Sequence, residues 1–274
     1  MRLPSLLATL ATLTSVAAPA PPLAAQNYDT VQVRASPLAR GVYMLTGSGG
    51  NIGLAVGDEA VFVVDDQFAP LTPKILAAIA AVTAKPVRFV LNTHWHFDHT
   101  GGNENMGKAG ALIVAHENVR RRMSVGQLIE AVNRQEPPAA PGALPVVTFT
   151  DGVTFHLNGD SIVVTHVPPA HTDGDAIVYF AKANVIHMGD LFMSAGLPFV
   201  DLSSGGSLHG IIGAAERTLA VANAQTKIID RSPTVRACSP ITPCWSPCVT
   251  ACALKSRLAK PSNNCSRRRS RSPT

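Results

Sequence analysis

One ten-residue segment is the most informative part of this chain: Thr93-His94-Trp95-His96-Phe97-Asp98-His99-Thr100-Gly101-Gly102. It contains three imidazoles, which are good zinc ligands when neutral, and a carboxylate whose charge can hold a second dication. In an extended segment His94 and His96 point the same way, whereas on a helix they would point about 200° apart at roughly 100° per residue. Because the apolar run 87–91 comes directly before the motif, we predict a metal site where a strand passes into a loop.

These residues resemble the motif of the metallo-β-lactamase superfamily, which is His-x-His-x-Asp-His at the end of a strand. The resemblance runs from about Val31 to Asp230. It implies an α/β fold, the four-layer αβ/βα metallo-β-lactamase sandwich, with the metals at one edge of the two sheets.

The resemblance also implies metal ligands from later parts of the chain. The family has a further His in a later loop, which His171 matches, and a bridging acid or Cys after a later strand, which Asp190 matches. The implied ligands of the first metal are therefore His94, His96 and His171, and part of the second set is Asp98, His99 and Asp190. The remaining histidines in or beside apolar strands are expected to be structural, namely His116, His156, His166 and His187. Asp173 and Asp175 are expected to shape the loop that carries His171; the alternative for Asp175 is to hold a ligand in place without binding the metal itself.

The expected cofactor is Zn²⁺, as one or two ions. Zinc lowers the pKa of a bound water to about 7, and the resulting hydroxide would attack an amide, ester or thioester, with Asp98 orienting it as the catalytic residue. The substrate is expected to be a small molecule: a β-lactam, a lactone or a thioester. Asp190 stands where one major class has a Cys, and Met193 where that class has a substrate-anchoring Lys, so the chain looks more like glyoxalase II and lactonases. The alternative is a catalytically impaired metal-binding relic.

The first 25 residues predict a secretory signal peptide. A positive start at Arg2 precedes an apolar run, and small residues follow before Gln26. Prolines 19, 21 and 22 interrupt the run before it reaches the ~20 residues of a membrane span. We therefore expect export to a periplasm or the exterior, no stable membrane span, and a metallo-β-lactamase-like domain over residues 26–230. The sequence leaves the oligomeric state open.

The domain is expected to alternate strands and helices. Strands are predicted at 31–34, 41–46, 52–56, 60–64, 87–91, 111–115, 146–149, 153–157, 161–167, 176–180, 184–187 and 227–229, and helices at 71–84, 116–135 and 207–223. The arginines at 120–122 are expected to form a solvated face. Residues 1–230 carry 14 basic and 18 acidic residues, so they lack a basic footprint for nucleic acid.

Residues 231–274 have a different composition and are predicted to form an aberrant, disordered tail. They contain all five cysteines of the chain, nine Lys or Arg, and no Asp, Glu or Gly. The family has a last His ligand in a turn after the final strand, but this chain has no His after His209. A frameshift would explain both observations, because codons that start at the third base of the present ones permit His-Gly-Pro at 233–235. The alternative is a genuine tail with disulfides, a metal-binding Cys cluster or an anion-binding Arg cluster.

Overall fold

The computed structural model describes residues 27–194, 196–232 and 236–237. The predicted signal peptide and most of the predicted tail lie outside these residues. Within them, no helix is both long and apolar enough to cross a bilayer.

The first half of the domain forms a seven-stranded sheet in the order β1-β2-β3-β4-β5-β6-β9. Its strands are β1 (Arg34–Ala39), β2 (Val42–Thr46), β3 (Ile52–Ala55), β4 (Val61–Val64), β5 (Val87–Asn92), β6 (Leu112–His116) and β9 (Val147–Phe149). The pairs from β1 to β4 are antiparallel, whereas β4, β5, β6 and β9 run parallel. Parallel strands end at the same edge of a sheet, so the residues that follow β4 and β5 lie close together.

The second half forms a six-stranded sheet in the order β10-β11-β12-β13-β14-β15. Its strands are β10 (Gly152–Leu157), β11 (Asp160–His166), β12 (Ala176–Phe180), β13 (Val185–His187), β14 (Lys227–Ile229) and β15 (Arg236–Ala237). Only the β13–β14 pair is parallel. A separate hairpin pairs β7 (Gln127–Ile129) with β8 (Arg134–Glu136).

Five α-helices complete the described fold: α1 (Thr72–Ala80), α2 (Phe97–Thr100), α3 (Asn103–Lys108), α4 (Glu117–Met123) and α5 (Leu208–Val221). The longest, α5, begins where the Ser207 hydroxyl accepts a hydrogen bond from the Gly210 amide at 3.0 Å, an N-cap that satisfies a free backbone donor.

The buried side chains form a layered core. Residues of both sheets, including Phe62, Val114, Val164 and Phe180, pack against each other in one cluster. The outer face of the first sheet packs against α1 and α3, and that of the second sheet packs against α5. Helices therefore cover both outer faces of two stacked sheets, and the predicted four-layer α/β sandwich is confirmed.

Two local predictions were wrong, and the prediction of a solvated arginine face holds for Arg120 and Arg121 but not for Arg122. The first strand lies at 34–39 rather than 31–34; it contains Pro37, which an edge strand tolerates because one side of its backbone is unpaired. The predicted helix 116–135 ends at Met123 and is followed by the β7–β8 hairpin, whose turn contains Asn133 in the left-handed conformation (φ 48°). Within the expected solvated face, the Arg122 side chain is half-buried and its Nε lies 2.7 Å from Asp173 Oδ1.

Candidate metal centre

The motif residues lie just beyond the carboxyl end of β5, at an edge of the first sheet. His94 lies in the bend that follows β5, and His96 is the extended residue directly before the short helix α2. Asp98 and His99 lie on α2 itself. All four side chains are buried. Asp190 follows β13 of the second sheet in a 3₁₀ turn, so the two sheets contribute to one site.

Three imidazoles meet at what we call the first position, the space between the ring nitrogens of His94, His96 and His171. One ring nitrogen of each lies within 4.8 Å of the others. His171 Nε2 and His96 Nδ1 are 2.9 Å apart. The structure therefore brings together the three residues that the resemblance assigns to the first metal.

The other nitrogen of each ring is held by a neighbouring group, which fixes the nitrogen that faces the first position. His171 Nδ1 donates to the Phe199 carbonyl at 2.7 Å, and His96 Nε2 donates to Asp201 Oδ2 at 3.0 Å. Thr93 Oγ1 donates its proton to Asp65, so it accepts from His94 Nδ1, 3.1 Å away. His94 Nε2 is then left as a lone-pair donor.

Burial disfavours the protonated forms of two imidazoles of the first position, His94 and His96. Desolvation, assisted by the neighbouring histidines, lowers the pKa of His94 well below its ordinary value. Desolvation also lowers the pKa of His96, against the opposing effect of Asp201. Among the residues described, His94 Nε2 is buried without any hydrogen-bond partner. A neutral, unpartnered imidazole nitrogen facing two others is the arrangement that a zinc ion needs.

The remaining motif residues form what we call the second position, the space between Asp98, His99 and Asp190. His99 Nε2 lies 3.1 Å from Asp190 Oδ1 and 3.8 Å from Asp98 Oδ2. Burial acts to lower the pKa of His99, but the carboxylates of Asp190, Asp65 and Asp98 raise it well above its ordinary value. Burial acts to raise the pKa of Asp190, yet His99 holds it well below its ordinary value.

A residue from the predicted tail also lies in the second position. Arg231 Nη1 is 2.6 Å from Asp190 Oδ2, and Nη2 is 2.7 Å from Asp98 Oδ2. The structure describes Arg231 and Ser232, and the strand β15 (Arg236–Ala237) pairs with β14. Contacts with the domain therefore continue past the predicted boundary at residue 230.

Two acids that the sequence analysis missed hold the ligand histidines. Asp65 Oδ2 accepts from His99 Nδ1 at 2.7 Å, and Asp201 accepts from His96. Asp65 directly follows the buried strand β4, a signal that could have identified it, because β4 and β5 are parallel neighbours. Asp201 has no comparable signal, since it lies in a loop 105 residues from His96.

The loop that carries His171 is fixed by its own polar groups. Asp175 accepts hydrogen bonds from the Thr172 amide at 2.8 Å and hydroxyl at 2.6 Å. Burial raises the pKa of Asp175 to about 6. Asp173 pairs with Arg122 and accepts at its carbonyl from Asn118. Both acids therefore shape this loop.

The structural histidines are held away from both positions. His187 is buried and donates from Nε2 to the Asn51 carbonyl at 3.1 Å. His116 and His166 stack with ring centroids 3.8 Å apart. His156 contacts the Ser161 hydroxyl. None of the four belongs to a group of potential metal ligands among the described residues.

Comparison with known proteins places this geometry in a family. Residues 45–229 match the model of the metallo-β-lactamase superfamily. Among solved structures, a metallo-β-lactamase from Pontibacter korlensis is 20% identical with a TM-score of 0.61, and the alignment covers 82% of this chain and 99% of that one. A metallo-β-lactamase from Cronobacter sakazakii is 18% identical with a TM-score of 0.58, covering 73% and 78%. These likenesses show the fold.

Curated relatives match over shorter regions. A hydroxyacylglutathione hydrolase from Rhodospirillum rubrum is 29% identical over 127 residues, covering 46% of this chain and 41% of the relative. One from Gloeobacter violaceus is 27% identical over 154 residues, covering 52% of each. The alpha subunit of a 2,4-dinitroanisole O-demethylase from Nocardioides is 25% identical over 138 residues, covering 49% of this chain. The match spans 38% of that subunit's length. The family match covers most of this chain and includes all six of the predicted ligand residues. The chain therefore belongs to the metallo-β-lactamase superfamily, whose members are metal-dependent hydrolases.

Proposed function

We propose that this chain is a zinc-dependent hydrolase of small thioesters or esters. The observation that carries the proposal is the first position, where three buried imidazoles present one nitrogen each and His94 Nε2 has no partner among the described residues. Three nitrogen ligands with an open fourth place are typical of catalytic zinc. His94, His96 and His171 would hold the ion.

A zinc ion, when bound, supplies a Lewis acid and lowers the pKa of water that it binds. The residues of the chain do the rest. Asp201 fixes the ring of His96, and Asp65 fixes that of His99. The carboxylate of Asp98, buried beside His99, would orient the attacking water and accept its proton. A serine or cysteine nucleophile is not required.

Two observations favour a thioester or ester over other substrates. Two of the curated relatives are named hydroxyacylglutathione hydrolases, which denotes thioester cleavage, whereas the likeness to β-lactamases shows the fold alone. The second is an apolar surface beside the first position: Phe199 is 37% exposed, and its ring centroid lies 5.7 Å from that of His171. Such a surface suits an apolar acyl group.

The test uses the full chain, stripped of metal with a chelator and then titrated with Zn²⁺. Hydrolysis of a thioester, a β-lactam and a lactone is measured at each step. We expect thioester hydrolysis to rise with bound zinc. His94→Ala removes a ligand itself, so its zinc affinity should fall by more than the ~10–100-fold that results from replacing a group that only hydrogen-bonds to a ligand. His209→Ala, a matched change at an exposed position of α5, should leave both binding and rate unchanged.

The second candidate function is the metal-binding relic. The ion pairs of Arg231 at the second position favour it, because they engage two carboxylates of the predicted second metal set. Zinc bound at His94 without hydrolysis of any of the three substrates would support the relic. Turnover that depends on zinc and on Asp98 would exclude it.

We also propose that the chain is exported, on the basis of the signal-like residues 1–25. Cell fractionation of the native host should place the processed chain outside the cytoplasm. Recovery of the unprocessed chain in the cytoplasm would contradict export.

A further inference from the structure

The guanidinium of Arg231 lies in the second position and contacts all three of its residues. Its Nη1 is 2.6 Å from Asp190 Oδ2 and 3.4 Å from His99 Nε2, and its Nη2 is 2.7 Å from Asp98 Oδ2. The planar fork of a guanidinium suits this bridging of two carboxylates, which a single ammonium group cannot reproduce.

The electrostatics of the second position call for a cation. The carboxylates of Asp98 and Asp190 are 4% and 6% exposed, and two buried negative charges are strongly unfavourable unless they are compensated. Arg231 compensates both. A guanidinium is always protonated in proteins, so this compensating charge is permanent.

The backbone on both sides of Arg231 is anchored, which fixes where its side chain enters. The Asn51 amide donates to the carbonyls of Asp230 at 2.5 Å and Ser232 at 2.6 Å. The Asp230 carboxylate accepts from the Ser194 amide at 2.6 Å and from the Ser232 amide at 3.1 Å. Asn51 and Ser232 are buried. Arg231 is therefore held at the mouth of the site by its neighbours as well as by its own ion pairs.

We propose that Arg231 takes the place of a second metal ion, so that this chain binds one divalent ion, at the first position. A dication among Asp98, His99 and Asp190 would lie against the guanidinium, and the resulting repulsion makes the two mutually exclusive. The inference rests on the metal-binding part of the proposed function and is independent of its substrate.

The experiment counts metal ions on the full chain without using activity. Chelated protein is titrated with Co²⁺, whose absorption reports ligand binding, and bound metal is measured after gel filtration. We expect one equivalent for the unchanged chain. Arg231→Met, which removes the charge and keeps the aliphatic stem, should bind two. Arg231→Gln, which keeps hydrogen-bond donors without charge, should also bind two and provides a second test if the Met variant does not fold.

Two controls distinguish the effect of removing the positive charge at residue 231 from the effect of removing any arginine from the chain. Arg231→Lys keeps a cation at the site and should remain near one equivalent. Arg88→Met removes an exposed arginine from β5 and should also remain at one. Two tightly bound ions in the unchanged chain, or one ion in both neutral variants, would overturn the inference. A chain that binds one ion but hydrolyses none of the three substrates would refute the proposed function and leave this inference intact.

Discussion

Replacing Asp201 should weaken metal binding at the first position, although Asp201 does not face that position itself. Its Oδ2 accepts from His96 Nε2 at 3.0 Å, and Oδ1 accepts from the Ser204 amide at 3.2 Å. The hydroxyls of Ser203 and Ser204 also donate to it. Burial acts to raise the pKa of Asp201, but these hydrogen bonds lower it below its ordinary value. It therefore stays ionised and holds the tautomer of His96 that presents Nδ1.

The size of the effect follows from the strength of that hydrogen bond. Loss of a group that orients a ligand histidine costs roughly 10–100-fold in metal affinity, which corresponds to about 1.4–2.7 kcal/mol. Asp201→Asn retains a neutral acceptor of the same shape, and neutral hydrogen bonds are about half as strong as charge-assisted ones. We therefore place Asp201→Asn near about ten-fold and Asp201→Ala near about 100-fold.

Competition with a chromophoric chelator measures the zinc affinity of each variant. Urea unfolding of the metal-free proteins is run in parallel, because Asp201 also caps the 3₁₀ turn at Leu202–Ser204. Asp58→Asn, at an exposed turn between β3 and β4, is the matched control and should bind zinc as the unchanged chain does. Unchanged zinc affinity in Asp201→Ala would refute the role assigned to the hydrogen bond.

Three further predictions concern the helix α5, the proposed catalytic residue Asp98 and the reading frame. A Cβ at Gly210 would lie 1.9 Å from the Pro169 carbonyl oxygen, whereas one at Gly213 would meet nothing within 4 Å. Urea unfolding should therefore show that Gly210→Ala destabilises the protein by about 1–3 kcal/mol and that Gly213→Ala stabilises it by up to about 1 kcal/mol. Equal effects of the two substitutions would contradict this. Asp98→Asn should slow zinc-dependent hydrolysis by about 100-fold or more with unchanged zinc affinity at the first position, so an unchanged rate would remove Asp98 from the mechanism. The gene should encode His-Gly-Pro in the shifted frame across residues 233–235, and a stop codon or other residues there would exclude the frameshift.

Two of the three residues of the first position could be predicted from the sequence because their signals are local. His94 and His96 are two residues apart after an apolar run, and the period of a strand alone places them on one side. His171 and Asp190 came from the family resemblance, because nothing in their spacing links them to the motif.

The supporting acids could not be predicted in the same way, because their contacts are long-range. Asp65 is 34 residues from His99, and Asp201 is 105 residues from His96. Arg231 was assigned to the tail by the composition of the residues that follow it. Only the folded chain shows that its guanidinium reaches Asp98 and Asp190.

The architecture was predictable and the local exceptions were not. Buried strands such as β3 and β4 appear in the sequence as apolar runs, and the family resemblance implied the four-layer arrangement. The segment 124–136 has helical composition, yet its conformation is set by tertiary contacts: Ala139 N donates to the Met123 carbonyl at 2.8 Å, and the Arg134 guanidinium lies 3.3 Å from the centroid of the Phe97 ring.

We infer that a divalent ion held by His94, His96 and His171 makes this chain a hydrolase. The most direct test is to titrate chelated protein with Zn²⁺ and to follow thioester hydrolysis and bound zinc in the same samples. We predict no hydrolysis without zinc and a rate that rises in proportion to bound zinc until the first position is filled. Hydrolysis that persists in the chelated protein, or zinc that binds equally well to His94→Ala, would contradict the claim.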